Sequence, residues 1–218
     1  MIRRIRFVSL LLAAVLLGGC AQQAALTGEV VPPTSTGQVR QAANIEVTLI
    51  AADADFERSW ATLLTQFQSD YERARSAWQS AWSTYRDASA QRERISAAYL
   101  KDVFDRATSA EYGAAAKLAL RAVHRIDESR EQIKHLTETY TRLALSAIRS
   151  RRFLSTRTDA NGRYEIRDIP PGRYYVFAGY ETLEERQYWI VPAEIGPDAV
   201  ELHLSGSNRN WPLVAAAE

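Results

Sequence analysis

Apolar and polar positions along this chain follow two periods, and the places where one gives way to the other mark its elements. Over residues 153–176 the period is two, interrupted by turn residues. Residues 153–158 are a β-branched and aromatic run. Asp159-Ala160-Asn161-Gly162 follows, with Asn161-Gly162 suited to the two positive-φ positions of a tight hairpin turn. Tyr164 and Ile166 then alternate with Arg163, Glu165 and Arg167, the pattern of a strand with one wet side. Pro170-Pro171-Gly172 stops it, because neither proline donates to a ladder and glycine permits the reversal, and 173–180 starts another strand. This stretch predicts a β-meander. Residues 26–31 and 44–51 read as strands on either side of a Pro/Ser/Thr/Gly loop at 32–37, and 186–191 and 199–204 add two more. That makes seven strands. Residues 206–218 lack periodicity and are expected to fray as a tail.

Between 52 and 151 the period lengthens. Asp53 and Asp55 suit a helix start, and Phe56, Trp60, Leu63, Phe67, Tyr71, Ala74, Trp78, Ala81 and Tyr85 recur at steps of three and four, as one long amphipathic helix requires. After a less apolar stretch at 87–94, Ile95, Tyr99, Val103 and Phe104 predict a second, shorter helix, with Gly113 breaking it near its end. From Ala114 the steps resume through Leu118, Ala122, Ile126, Ser129, Ile133, Leu136, Tyr140, Leu143 and Ala147, a narrow seam of the coiled-coil kind. Both ends of this segment rejoin neighbouring strands, so an antiparallel hairpin of two long helices is expected, with arms of about 35 residues projecting roughly 50 Å. Arg149, Arg151 and Arg152 suit the negative pole of the last helix.

Thr158, Asp159, Gly162, Tyr164 and Ile166 match the pattern T-D-x-x-G-x-Y-x-I, and Pro171, Gly172, Tyr174 and Val176 match P-G-x-Y-x-V. In these residues the chain resembles carboxypeptidase-regulatory-like domains, small transthyretin-like sandwiches of the carbohydrate-binding-like fold. The resemblance implies an α+β chain: a seven-stranded antiparallel transthyretin-like β-sandwich interrupted by a long α-helical hairpin. Its first strands would lie in 20–51, the hairpin in 52–151, the remaining strands in 152–205 and a tail in 206–218. The resemblance implies an accessory or adhesive module without catalytic residues.

At the amino terminus, Arg3, Arg4 and Arg6 precede an apolar run over 7–17 that is too short for a permanent membrane span. Leu17-Gly18-Gly19-Cys20 closes it and resembles the lipobox of bacterial lipoproteins. This implies a signal peptide at 1–19, lipidation of Cys20, a lipid anchor in the cell envelope and, from Ala21, transfer to an outer membrane with the protein facing the periplasm. Only five residues separate Cys20 from the first strand, so the β-domain is expected close to the membrane. Cleavage before Cys20 removes three arginines and turns 27 basic against 26 acidic residues into 24 against 26, a formal charge of −2. With charges interspersed and no sustained basic run, nucleic acid is not an expected partner.

Little in the chain carries reaction chemistry. His124 and His135 lie about 16 Å apart along a helix, without the i, i+4 pairing of a helical zinc site, and His203 stands apart. Ser155 lacks a G-x-S-x-G elbow, there is no glycine-rich phosphate loop, and Glu184-Glu185 and Asp127-Glu128 read as solvated surface. No catalytic residue, metal or cofactor is expected. Aromatic residues carry the alternatives. If Tyr174 and Val176 point into the sandwich, Tyr175 and Phe177 point outward, joined by either Tyr188 with Ile190 or Trp189 with Val191. The root of the helical arm covers this second face, or the face is an exposed platform for a sugar or peptide, with Arg163, Glu165, Arg167 and Arg173 at its edge. Trp60, Trp78 and Trp82 face the partner helix, or form a docking stripe for a second copy or an envelope protein. The expected function is a non-enzymatic structural or interaction module acting through the hairpin; the alternative is a carbohydrate- or peptide-binding module.

Overall fold

The computed structural model describes residues 24–33, 42–101, 105–182 and 185–213, with the side chain of Ala97 set aside. The expected signal peptide, the lipobox and Cys20 lie outside the described residues, as do Val103 and Phe104. Among the described residues seven strands form two sheets. β1 (Ala24–Glu29), β4 (Arg163–Ile169) and the two-residue β7 (Val200–Glu201) make one, in the order β4-β1-β7. β2 (Glu46–Ala51), β3 (Arg152–Arg157), β5 (Gly172–Glu181) and β6 (Arg186–Ile195) make the other, in the order β3-β2-β5-β6. Leu26, Tyr164, Ile166 and Ile169 from the first sheet meet Val47, Leu49, Val176 and Trp189 from the second in a single buried cluster. The expectation of one seven-stranded antiparallel sandwich is corrected to two sheets of three and four strands, because β1 and β7 run parallel.

The β-meander is also corrected. β3 pairs with β2 at the edge of the four-stranded sheet, whereas β4 pairs with β1 in the other sheet. The turn between them therefore carries the chain from sheet to sheet. Asp159 builds that turn: its Oδ1 accepts from the N–H groups of Asn161 (2.8 Å) and Arg163 (2.9 Å), and its carbonyl accepts from Gly162 (3.0 Å). Of the two positive-φ positions expected here, only Gly162 has one, at 76°. Turn chemistry dictates a reversal, but the strand that receives the ladder is chosen by where apolar faces can be buried.

Two helices, α1 (Ala54–Lys101) and α2 (Arg106–Ser150), form the insertion. Asp53 Oδ1 accepts from Phe56 N–H (2.7 Å) at the start of α1, and the Asp105 carboxylate caps α2. The arms are longer than expected, roughly 70 Å at 1.5 Å per residue. The separate shorter helix is absorbed into α1, because 87–94 contains no glycine or proline and Ala88 is buried in the seam. Gly113 does not break α2 either: a Cβ there would meet nothing within 4 Å, so the glycine sits on an open helix surface among alanines. The seam is built from small residues, Ala74, Ala81 and Ala88 on α1 against Ala115, Ala119 and Ala122 on α2. Phe67 against Tyr140 (5.4 Å) near the root and Tyr99 against Tyr112 (4.5 Å) near the far end set the antiparallel register.

The expected frayed tail is packed over its described residues, 206–213. Gly206–Asn208 forms a 3₁₀ turn, and Trp211 and Leu213 are buried. Asn210 holds the tail in place by using its side-chain amide as a strand would, accepting from Ile190 N–H (3.1 Å) and donating to Ile190 C=O (2.7 Å). This pairing also occupies backbone groups on the edge of β6.

Candidate functional site: the hairpin root and the aromatic sheet face

The outward set on β6 is Tyr188 with Ile190; Trp189 turns inward and is fully buried, its indole N–H donating to Ser205 C=O (2.8 Å). Tyr188 and Ile190 join Ile50 of β2 and Tyr175 and Phe177 of β5 on one outer face. The root of the hairpin and the tail cover most of it. Phe56 lies 5.6 Å from the Tyr175 ring, and Trp211 lies 4.8 Å from Tyr188 and 6.1 Å from Phe177. Trp60 stacks on Phe56 at 5.8 Å and meets Trp211 at 6.0 Å, while Ile148 of α2 is fully buried alongside. Of the two alternatives for this face, the covered one is what the structure shows, because leaving this much ring surface in water costs more than docking the helices on it.

The polar rim expected for that platform does not assemble. Arg163, Glu165 and Arg167 project from the outer face of the three-stranded sheet, on the opposite side of the core from Tyr175 and Phe177. There Arg167 grips Glu165 through two hydrogen bonds (2.7 and 2.8 Å), which hold the Glu165 carboxyl below its ordinary pKa, and Arg163 pairs with Glu29 (3.0 Å). Arg173 is exposed and donates to Glu57 of α1 (2.6 Å), so it braces the root. Arg151 with Asp53 (3.5 Å) ties the closing ends of the two helices, and Arg152 with Glu46 (2.8 Å) links β3 to β2 beside them.

The three expected docking tryptophans separate into two groups. Trp60 is part of the root. Trp78 and Trp82 lie farther along the arm, half-buried, with rings 6.1 Å apart and Tyr85 5.6 Å beyond Trp82. The buried Trp82 Nε1 has no hydrogen-bond partner. Nearer the root, Tyr140 O–H donates to Asp70 Oδ2 (2.6 Å), tying α2 to α1. That bond, with a lesser contribution from Arg73, holds the Asp70 carboxyl below its ordinary pKa, and the same bond, with burial, pushes the Tyr140 phenol up.

His124 and His135 are exposed on α2, and His203 contacts Glu201 (3.2 Å). Among the described residues no three His, Cys, Asp or Glu side chains converge as a metal site, and no helix is long and apolar enough to cross a membrane. The sequence reading missed the part of Trp211 in the root. A lone tryptophan in an aperiodic tail was the available signal.

No family model matches the chain, and no curated protein matches it. Among solved structures it is similar to a protein of Pseudomonas aeruginosa described as a candidate carbohydrate-binding protein, at 11% identity over 84% of this chain and 88% of that one, with a TM-score of 0.35. It is also similar to a pilus backbone protein of Streptococcus pneumoniae, at 14% identity over 82% of this chain but only 40% of the pilin, with a TM-score of 0.22. Similarities this loose carry neither structure nor function from one chain to another.

Proposed function

We propose that this chain is a non-enzymatic, lipid-anchored envelope module whose β-domain holds out the helical hairpin as an interaction arm toward a second copy or an envelope partner. Acylation at Cys20 would supply the membrane attachment, and the residues from Thr158 to Val176 that match the carboxypeptidase-regulatory-like pattern support reading the base as a transthyretin-like domain. One observation carries the reading. Beyond Tyr71 on α1, and before Leu136 on α2, no described arm residue belongs to either apolar cluster that contains sheet residues. Most of each arm thus stands clear of the base, yet it carries Trp78 and Trp82 half-exposed on its flank. Tryptophan at such a position offers a large apolar surface for a partner to cover.

Light scattering with chemical cross-linking, on the chain from residue 20 with Cys20→Ser, tests this. A dimer that becomes monomeric on Trp78→Glu with Trp82→Glu identifies a second copy as the partner. A monomer moves the same comparison to cross-linking in cells, where the double variant should lose a heterologous product. If neither product depends on the two tryptophans, the hairpin is not the interaction arm.

A further inference from the structure

Where the hairpin root leaves the sheet, its cover is incomplete. A groove of about 570 Å³ lies between the outer face of the four-stranded sheet and the last turns of α2, within the size range of small-molecule sites. Its floor is Phe177, Gly179 and Tyr188, and one wall is Leu145 and Ile148. Gly179 leaves room here: a Cβ at that position would press to 3.2 Å on the Tyr188 ring, which would have to give by a few tenths of an ångström. The Phe177 and Tyr188 rings are near-parallel, at 17° and 6.3 Å, and Trp211 packs against both. Trp211 is not among the groove's lining residues, so the groove takes ring surface that the tail leaves uncovered.

Two features show that this groove is polar where it needs to be. Thr48 stands directly across from Phe177 in the β2–β5 ladder, lines the groove and is 5% exposed, yet none of the described residues hydrogen-bonds its hydroxyl. The hydroxyl oxygen itself is open to the groove, where a bound molecule or solvent can satisfy it. At the rim the acids are already engaged, Glu46 by Arg152 (2.8 Å) and Glu181 by the phenol of Tyr188 (2.6 Å). Arg149 and Arg157 have no carboxylate partner among the described residues. Arg157 is instead held in place by the backbone carbonyl (3.0 Å) and side-chain oxygen (3.1 Å) of Asn44. A fixed guanidinium without a carboxylate partner, with a second lining the same groove, is suited to an oxyanion.

We infer that this groove binds a small organic anion built on a ring. The ring lies on Phe177 and Tyr188, a polar substituent meets Thr48, and the carboxylate sits between Arg149 and Arg157. This site is separate from the arm residues on which the proposed function rests.

The test is a set of titrations into the ¹⁵N-labelled full chain, with glucuronate and benzoate as ring carboxylates, glucose as an uncharged ring and acetate as a carboxylate without a ring. At least one ring carboxylate should shift the amides of Thr48, Arg157 and Phe177, and bind at least about tenfold more tightly than glucose or acetate. Arg149→Gln, at an exposed position that leaves the fold alone, should weaken that binding by about tenfold, as loss of a charge-assisted bond does. Phe177→Leu should weaken it too, and Arg167→Gln on the opposite sheet should not. The inference is overturned if no ring carboxylate shifts those amides, if acetate binds as tightly, or if Arg149→Gln leaves binding unchanged.

Discussion

Replacing Gly28 by alanine adds one methyl group at the point where the three-stranded sheet meets its crossover. A Cβ there would lie 1.9 Å from the carbonyl oxygen of Leu202 and 2.7 Å from its carbonyl carbon. Carbon and oxygen approach to about 3.3 Å at closest, so backbone, which cannot rotate away as a side chain can, must move by more than an ångström. The segment that must move is tied to β1 and its extension by Leu202 N–H to Thr27 C=O (2.8 Å), Leu204 N–H to Glu29 C=O (2.7 Å) and Val31 N–H to Leu204 C=O (2.7 Å). The same Leu202 carbonyl accepts the buried phenol of Tyr164 (2.5 Å), whose pKa burial raises. At about 1 kcal/mol net for each ladder bond, and more for a buried phenol left unpaired, Gly28→Ala should cost about 3 to 5 kcal/mol. The damage should also travel, because Ser205 accepts the Trp189 indole and the tail beyond it puts Trp211 into the hairpin root. Urea unfolding followed by far-ultraviolet circular dichroism measures the loss, and red-shifted tryptophan emission in the native baseline reports the loosened tail. A loss below about 1 kcal/mol, with unchanged emission, would refute the packing of residues 202–204 on Gly28.

The same substitution at Gly113 should have the opposite sign: with open space around its Cβ and a helical backbone, Gly113→Ala should stabilise the chain by about 0.5 to 1 kcal/mol in the same unfolding assay. Tyr140→Phe removes the bond that depresses the Asp70 pKa. A lowered carboxyl pKa contributes stability that is present above the ordinary value of about 3.9 and is lost as pH falls through the lower folded value. The melting-temperature gap between wild type and Tyr140→Phe should therefore be full near neutral pH and narrow below about pH 4; a gap independent of pH would show that the phenol does not act through Asp70. Asn210→Ala should cost about 1 to 2 kcal/mol and raise amide exchange at Ile190, because both backbone groups of Ile190 lose their partner.

Periodicity made most of the architecture readable and left pairing out of reach. Tyr164 and Ile166 alternate with charges, and they are buried as that pattern demands; the steps of three and four from Phe56 onward are helical. The β3–β4 turn was legible as a turn, but β3 prefers β2, which lies about a hundred residues earlier in the chain and has Val47 and Leu49 to bury. No local signal contains that preference. Residues 87–94 looked too polar to continue a helix, yet an alanine seam needs only Ala88 on its buried face, so the rest of that stretch is free to be polar. The outward direction of Tyr175 and Phe177 was readable from alternation, and so was the option that the arm covers them. The charged rim was misplaced because alternation assigns a face within one sheet, and Arg163 and Tyr175 belong to different sheets. Thr48 was invisible, since a strand threonine is ordinary until its hydroxyl is seen to lack a partner.

The direction of the arm depends on which of two kinds of contact holds its root, and their magnitudes decide the matter. Two ion pairs tie it: Arg151 with Asp53 across the closing ends of the two helices and Arg173 of β5 with Glu57 of α1, every one of these side chains more than a third exposed. Pairs this exposed contribute about 0 to 1 kcal/mol each and weaken as salt shortens the screening length. Phe56 is 2% exposed and touches Trp60 and Tyr175, and truncating a buried phenylalanine costs about 3 to 5 kcal/mol. Ring burial therefore outweighs the two pairs together. Hydrogen–deuterium exchange over residues 54–64 should change little between low salt and about 1 M salt, and should accelerate strongly in Phe56→Ala at either. If salt alone loosens this first stretch of α1 as much as Phe56→Ala does, charge rather than aromatic packing aims the hairpin.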